Sequence, residues 1–224
     1  MEKKYDVTKF ERPSVTVDII IFTIKNNDLK ILLVKRKVWP FENMWALPGG
    51  FVRMNESLEE AAKRELVEET GVKDIYLEQL YTFGNPKRDP RTRVITVAYF
   101  ALINPDQKLK ASTDVSEVGW FSAYKIPELA FDHKDIIGYA IKRLRWKLEY
   151  TTIGFTLLSE KFTLTQLQDI YEIIFNKKFD KRNFRKKILS LDIIKEEGIM
   201  KDVSHRPAKL YVLKKKVGDI IEIL

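Results

Sequence analysis

The sequence predicts an α/β domain over residues 1–150, followed by a small α+β domain over residues 151–224. Two patterns and the chain length predict this organisation. Apolar, β-branched runs alternate with helical patterns as far as Tyr150, and beyond it two helical patterns precede two short strand-like runs. A chain of 224 residues is also longer than most single domains, which have about 100–200 residues.

The composition excludes several classes of protein and of site. With 45% hydrophobic residues, the chain is predicted to fold. The absence of cysteine excludes disulfides, thiolate zinc sites and cysteine catalysis, and two histidines, His133 and His205, give little basis for a histidine metal site. The charged N-terminus has no signal-peptide pattern, and the longest apolar run, 19–22, is too short to span a membrane. These features predict a soluble cytoplasmic protein without membrane contact.

The elements of the first domain follow from periodicity and from turn residues. Two apolar runs, Val15–Ile24 and Leu29–Lys35, are joined by a polar turn and predict a hairpin. Ser57 and Glu60 predict a capping box at the start of a helix that ends at Thr70. The further predicted elements are strands Ile75–Phe83, Val94–Ile103 and Val118–Phe121 and the amphipathic helix Ile136–Tyr150.

The second domain has the order of elements of a winged helix-turn-helix. Apolar residues at helical spacing from Leu164 to Ile174 precede a turn, and Asp180 can cap a second helix through Ser190. Strand-like runs at 193–195 and 210–213 flank a polar segment that would form the wing. In this plan the second helix enters the major groove of DNA. The predicted DNA-binding residues are Lys181, Arg182, Asn183, Arg185, Lys186 and, in the wing, Arg206.

The charge distribution agrees with this interpretation without deciding it. The formal net charge is +8, and residues 151–224 hold 15 Lys and Arg against 10 Asp and Glu. A basic helix can also be the solvated face of an accessory domain, or the domain can serve protein interaction or dimerisation only. From composition alone these alternatives stay open.

Three glutamates share one face of the first predicted helix. Glu65, Glu68 and Glu69 are spaced i, i+3 and i+4, so their carboxylates repel one another unless solvent or a cation separates them. Mg²⁺ and Mn²⁺ prefer such oxygen ligands. The preceding glycine pair, Gly49-Gly50, allows a close backbone approach, which makes the carbonyl of Gly50 a further predicted ligand. The alternative is an ordinary acidic surface helix.

The segment from Gly50 to Val72 resembles the signature of the Nudix hydrolase family, G-x5-E-x7-R-E-U-x-E-E-x-G-U, where U is aliphatic. Every fixed position is filled, by Gly50, Glu56, Arg64, Glu65, Leu66, Glu68, Glu69, Gly71 and Val72. The resemblance implies an α/β/α sandwich around a mixed sheet. It also implies cleavage of a nucleoside diphosphate linked to another group, with Mg²⁺ or Mn²⁺ as the cofactor.

The resemblance implies a role for each charged residue of the signature. Glu68 and Glu69 would be the principal metal ligands, and Glu65 a further ligand or the base that activates water. Arg64, which can reach Glu68 on the same helix face and Glu56 across the preceding loop, would orient the glutamates. Glu56 would fix the loop before the helix.

Two further regions are candidates for substrate contact. Arg88, Arg91 and Arg93 lie in a polar loop before a buried strand, and arginine suits bidentate phosphate recognition. This loop resembles the segment of Nudix proteins that bind ADP-ribose or related nucleotides; the alternative is a solvated basic loop. Members of the family often recruit a further acidic residue to the site from a distant loop. Glu117 is the first candidate for this residue and Asp114 the second. The alternative is that these carboxylates lie at the rim and take no part.

The C-terminal sequence, at Phe155–Leu158, Phe162–Gln168 and Asp180–Lys186, is similar to the C-terminal domain of Nudix-related transcriptional regulators of NAD or sugar metabolism. Many of those regulators have a degenerate signature and bind ligand without cleaving it, whereas this sequence keeps every position. The first hypothesis is therefore a Mg²⁺-dependent pyrophosphohydrolase for ADP-ribose or a similar compound, fused to a domain that binds double-stranded DNA. The alternative is a regulator that senses ADP-ribose with little or no hydrolysis. Operator binding would require a homodimer that presents two recognition helices.

Overall fold

The computed structural model describes residues 7–71, 75–103, 115–200 and 207–224. Three predicted site residues, Val72, Asp114 and Arg206, lie outside these ranges. The helices are α1 (Leu58–Thr70), α2 (His133–Tyr150), α3 (Leu164–Phe175) and α4 (Lys181–Ser190), with short 3-10 helices at Val7–Lys9 and Thr152–Leu157. The strands are β1 (Ser14–Lys25), β2 (Asp28–Arg36), β3 (Trp45–Ala46), β4 (Gly49–Phe51), β5 (Tyr76–Phe83), β6 (Val94–Leu102), β7 (Val115–Ser122), β8 (Ile194–Ile199) and β9 (Lys209–Leu213). None of the described helices combines the length and apolar character needed to cross a lipid bilayer.

Seven strands form one mixed sheet, as the family resemblance implies. The order is β3-β2-β1-β6-β5, with β4 paired to β1 and β7 paired to β2. Strand β1 runs parallel to β6, with Val17 opposite Val97, and antiparallel to both β2 and β4. The predicted hairpin of the first two strands is confirmed by the pairing of Lys25 with Asp28.

Helices cover both faces of this sheet because its central strands are apolar on both sides. Ile19, Ile20 and Ile21 of β1 are each 0% exposed. Ile20 belongs to the apolar cluster that includes α2, whereas Ile19 and Ile21 pack with Ala61 and Ala62 of α1. Consecutive buried residues are typical of a strand that is covered on both faces. The predicted α/β/α arrangement is therefore present.

The structure corrects several predicted boundaries. Strands β3 and β4 are not among the predicted elements, because with two and three residues they are too short for alternation to be visible. Helix α2 begins at His133 rather than Ile136, and β7 spans Val115–Ser122 rather than 118–121 only. Pairing with β2 extends β7 beyond its apolar residues.

The C-terminal part has the predicted helix, turn, helix and hairpin. Thr163 and Gln166 form a capping box at the start of α3, and Asp180 accepts a hydrogen bond from the backbone N–H of Asn183 at the start of α4. Helix α3 ends at Asn176 in the left-handed conformation, which frees the chain to turn. Strands β8 and β9 pair antiparallel, as a wing requires.

One apolar cluster continues from the sheet into the C-terminal part. Leu144 and Leu148 of α2 and Tyr171 of α3 are each 0% exposed and belong to the same cluster as the buried residues of β1 and β2. The hydroxyl of Tyr171 also donates a hydrogen bond to the carbonyl of Leu148, at 3.2 Å. The two parts are therefore packed against each other through α2.

Polar groups of the N-terminal part complete the C-terminal end of α3. The Tyr124 hydroxyl lies 2.9 Å from the carbonyl oxygen of Ile173 and 2.8 Å from that of Ile174. Arg145 Nε donates to the same Ile174 carbonyl at 2.9 Å. The last carbonyls of a helix lack the regular intrahelical donor, so these side chains satisfy the Ile174 carbonyl and add a second donor to that of Ile173, which also accepts from the backbone N–H of Asn176 at 3.3 Å.

Removal of the Tyr124 hydroxyl tests this junction. We expect Tyr124→Phe to lower the free energy of unfolding by about 1 kcal/mol, because a carbonyl of α3 loses a donor. For a chain of this size that corresponds to a melting temperature lower by about 2–4 °C. Tyr81→Phe, on the exposed face of β5, is the matched control and should melt like the unmodified chain. Equal melting of all three proteins would contradict the role of Tyr124.

Candidate functional site

Arg64 is the centre of the predicted glutamate site. Its Nε and Nη2 donate to the two carboxylate oxygens of Glu56 at 2.9 and 2.6 Å, and its Nη1 donates to Glu65 at 2.6 Å and to Glu68 at 3.0 Å. The bonds from Arg64, with one from the backbone N–H of Arg53, lower the pKa of Glu56 to about 2. The predicted reach of Arg64 to Glu56 and Glu68 is present, and the bond to Glu65 is an addition.

The glycine pair of β4 lies directly against the helix glutamates. A Cβ atom on Gly50 would lie 2.2 Å from Oε1 of Glu65. Only glycine at this position therefore allows the Glu65 carboxylate to stay where it is. The backbone N–H of Gly49 donates to Oε2 of Glu69 at 2.9 Å. Since β4 is paired with β1, the sheet fixes both glycines relative to α1.

The donor set has the chemistry of a hard-cation site, although its carboxylates are held by Arg64. Burial raises the pKa of Glu65, and the Arg64 guanidinium opposes that shift. The described residues contain no group of three or more His, Cys, Asp and Glu side chains placed to hold a metal ion. Three carboxylates on one helix face and the close approach of Gly50 nevertheless fit a cation that prefers oxygen ligands.

These residues form one side of a cavity of about 500 Å³. Gly50, Glu65 and Glu69 line it together with two residues that the sequence analysis missed, Asp18 and Arg36. Asp18 had a recognisable signal, because it is the one charged residue within the apolar run of β1. Arg36 ends β2 beside other basic residues and had no such signal.

Arg88 closes the cavity wall through a buried ion-pair network. It donates to both oxygens of Asp132, at 3.0 and 2.7 Å, and to Asp18 at 3.2 Å, and its side chain is 4% exposed. His133 accepts a hydrogen bond from the backbone N–H of Leu47 at its Nδ1, and its Nε2 lies 3.6 Å from Asp18. Burial lowers the pKa of His133, so the ring is neutral at pH 7. Arg88 is thus already paired where the sequence analysis places a substrate contact.

The other predicted substrate residues differ in their positions. Arg91 lines the cavity and forms a two-point pair with Asp89 at 3.0 and 2.7 Å. Arg93 is exposed and donates to the carbonyl of Val94 at 3.4 Å, and it is not among the cavity-lining residues. Glu117 is also outside the lining, with its carboxylate 3.5 Å from Lys35 Nζ. Substrate roles for Arg93 and Glu117 remain predictions.

The second candidate surface is the outer face of α4. Phe184 and Ile188 are buried, as predicted. The side chains on the opposite face are exposed, namely those of Lys181, Arg182, Asn183 and Lys186. Arg185 differs from the prediction, because it is half-buried and its Nη2 donates to Thr165 Oγ1 of α3 at 3.0 Å.

Comparisons with known proteins identify the families of both parts of the chain. The family model of the NUDIX domain matches residues 13–140. The chain belongs to the Nudix family. The model described as "NrtR DNA-binding winged helix domain" matches residues 154–213, so this Nudix chain also carries a winged helix domain of the NrtR type.

Three relatives of this Nudix chain are informative. The "ADPR responsive transcriptional repressor NtrR" of Acinetobacter baylyi is 40% identical over 213 residues, which are 93% of this chain and 85% of that protein. The "ADP-ribose pyrophosphatase" of Methanocaldococcus jannaschii is 43% identical over 148 residues, 65% of this chain and 83% of that protein. Shewanella oneidensis NrtR in complex with a 27mer DNA has a TM-score of 0.78 at 40% identity, covering 89% of this chain and 93% of that chain. A structure of the NUDIX domain of Shewanella oneidensis NrtR in complex with ADP ribose has a TM-score of 0.57 at 41% identity. It covers 63% of this chain and 94% of that chain.

Two glycine substitutions of equal size test the geometry of the Nudix site. A Cβ on Gly49 would lie 2.1 Å from the carbonyl oxygen of Val17, and that backbone cannot move without disturbing β1. We expect Gly49→Ala to lower the free energy of unfolding by about 1–3 kcal/mol. Gly138→Ala on α2 meets nothing within 4 Å and should raise it by about 0.5–1 kcal/mol. Denaturant titration measures both changes, and a Gly49→Ala protein as stable as the parent would contradict the close approach.

Proposed function

We propose that this protein is a DNA-binding transcriptional regulator whose Nudix cavity binds ADP-ribose or a closely related nucleoside diphosphate derivative. The observation that carries the proposal is the position of α2. His133, at the start of this helix, lines the cavity, and Arg145 and Leu148, near its end, hold α3 of the winged helix domain. We place the boundary between the Nudix domain and the winged helix domain at residues 150–151. The names of the A. baylyi and S. oneidensis relatives support ADP-ribose and DNA as the two ligands.

The exposed face of α4 is the proposed DNA contact. Arg182 and Lys186 are exposed on it, where they can reach base edges and phosphates once the helix lies in the major groove. We propose that Arg185 acts differently, by joining α4 to α3 through Thr165. A homodimer with two such helices would match a two-fold operator.

A double substitution on α4 tests the regulatory function. We expect Arg182→Ala with Lys186→Ala to weaken binding to a duplex from the protein's own upstream region by about tenfold or more, because each base-reading Arg contributes about 1–3 kcal/mol. Fluorescence anisotropy at fixed salt measures this, with ADP-ribose added in a parallel series to change the affinity of the parent chain.

The matched control carries Lys25→Ala and Lys63→Ala, which remove the same charge from exposed positions of the Nudix domain. Its DNA affinity should stay close to that of the parent chain. Equal affinity of the α4 variant and the parent would refute the DNA contact. An affinity that does not respond to ADP-ribose would refute the sensing function.

Hydrolysis is the second candidate function, and the intact Nudix signature with its site geometry favours it. In this function Glu68, Glu69 and the carbonyl of Gly50 would hold Mg²⁺ or Mn²⁺, which supplies charge neutralisation at the diphosphate. Glu65, buried beside Gly50, accepts a proton from the attacking water. Water adds to one phosphorus atom as the bridging P–O bond breaks, so that ADP-ribose gives AMP and ribose 5-phosphate. The similarity to the M. jannaschii pyrophosphatase supports this chemistry.

Glu69→Gln tests hydrolysis separately from regulation. We expect the parent chain with Mg²⁺ to release AMP from ADP-ribose, and the variant to do so at least about tenfold more slowly, because a proposed ligand has lost its charge. Chromatographic assay of AMP measures the rate. Glu59→Gln, on the exposed face of the same helix, is the control. If the parent chain releases no AMP with either Mg²⁺ or Mn²⁺, the enzymatic function is wrong while the regulatory function stands.

A further inference from the structure

Arg36 is a half-buried cation that the Nudix signature does not include. It lines the same cavity as Glu65 and Glu69. Its Nε donates to the carbonyl of Pro40 at 2.8 Å and its Nη2 to that of Val38 at 3.4 Å. Within the described ranges Arg36 forms no salt bridge, although burying a cation without a counter-charge is costly.

A second guanidinium shares the ring on which Arg36 lies. The Arg36 guanidinium carbon lies 4.9 Å from the ring centroid of Phe131, and that of Arg91 lies 5.7 Å from the same centroid. Arg91 also lies 5.2 Å from the ring of Phe51. Two guanidinium groups therefore face one cavity from a common aromatic platform.

The two cations disturb each other. Burial and the neighbouring Arg91 lower the pKa of Arg36, and Asp89, Glu69 and Asp18 act against that shift. Asp89 is already engaged by Arg91 through two hydrogen bonds. An anion placed between the two guanidinium groups would relieve their repulsion and give Arg36 a salt-bridge partner.

The aromatic platform is held in an unusual backbone conformation. Phe131 has a φ of 54°, which is rare for a bulky residue. Its ring is fixed against Phe41, at 4.9 Å between centroids, and against His133, at 5.3 Å. Strained residues of this kind occur where the surrounding structure imposes them, often at ligand sites.

We propose that Arg36 and Arg91, supported by Phe131, form an anion subsite that binds a phosphate group of the nucleoside diphosphate. The acidic side of the cavity, formed by Glu65 and Glu69, repels phosphate unless a cation lies between them, whereas this side attracts it directly. The subsite therefore binds the diphosphate without a metal ion. This inference rests on the proposed function of the cavity, because the ligand class is the same.

Calorimetric titration of the full chain in EDTA tests the subsite. The probes are ADP-ribose, inorganic pyrophosphate and adenosine, and the variants are Arg36→Gln and Arg36→Lys. We expect Arg36→Gln to weaken ADP-ribose and pyrophosphate by about tenfold or more, and Arg36→Lys to weaken them less, because the ammonium keeps the charge but loses the planar fork. Arg143→Gln, which removes the same charge from a half-buried position of α2 beside Glu78 and outside the cavity lining, should bind both probes like the parent.

The outcomes separate the subsite from the proposed function. A parent chain that does not bind ADP-ribose refutes the function, while its pyrophosphate titration still tests the subsite. Equal pyrophosphate affinity of the parent and Arg36→Gln overturns the subsite. If Arg36→Gln weakens adenosine as much as it weakens pyrophosphate, the cavity has collapsed and the subsite is overturned as well.

A measurement on the unmodified chain keeps the test valid if Arg36→Gln fails to fold. Pyrophosphate should protect Arg36 and Arg91 from phenylglyoxal, as read by mass spectrometry, while the exposed Arg182 stays reactive. Equal labelling of Arg36 with and without pyrophosphate would overturn the subsite.

Discussion

The structure depends on the burial of α2 against two partners at once. One side of the helix packs on the mixed sheet and another on α3, so that Leu144 and Leu148 belong to a single apolar cluster with Tyr171. Burial of each such side chain contributes about 1.5–3 kcal/mol, which exceeds the roughly 1 kcal/mol of a neutral hydrogen bond such as that of Tyr124. The hydrogen bonds from Tyr124 and Arg145 to the end of α3 then fix the orientation that the apolar packing alone would leave adjustable.

A comparable constraint acts on the other face of the sheet, where α1 carries the glutamates. Arg64 holds Glu56, Glu65 and Glu68 together, so its positive charge offsets the repulsion between these carboxylates. The glycine pair of β4 leaves no room between strand and helix except for carboxylate oxygens. The same arrangement can therefore serve a sensor or a hydrolase.

Local rules predicted the parts of this structure that local sequence determines. The capping box of Ser57 and Glu60 is present at α1, and the spacing of the signature brought Arg64 to Glu56 as expected. Tertiary contacts were invisible to such rules. Asp18 and Asp132 are far apart in sequence and meet only through Arg88, and β3 and β4 exist only because β2 and β1 offer them partners. Arg185 was expected to point outward, but Thr165 on a different helix engages it.

The contacts at the start of α2 explain how a ligand in the cavity can matter to the winged helix domain. Phe131, Asp132 and His133 follow one another in sequence, and each is held by a residue of the cavity wall. Asp132 precedes the first turn of the helix, and its carboxylate is engaged by Arg88 instead of capping that turn. A ligand shifts an equilibrium only by its different affinity for the two states. The first turn of α2 joins the cavity wall to the helix that holds α3, so it is the element on which a ligand with different affinities for two arrangements of these contacts would act.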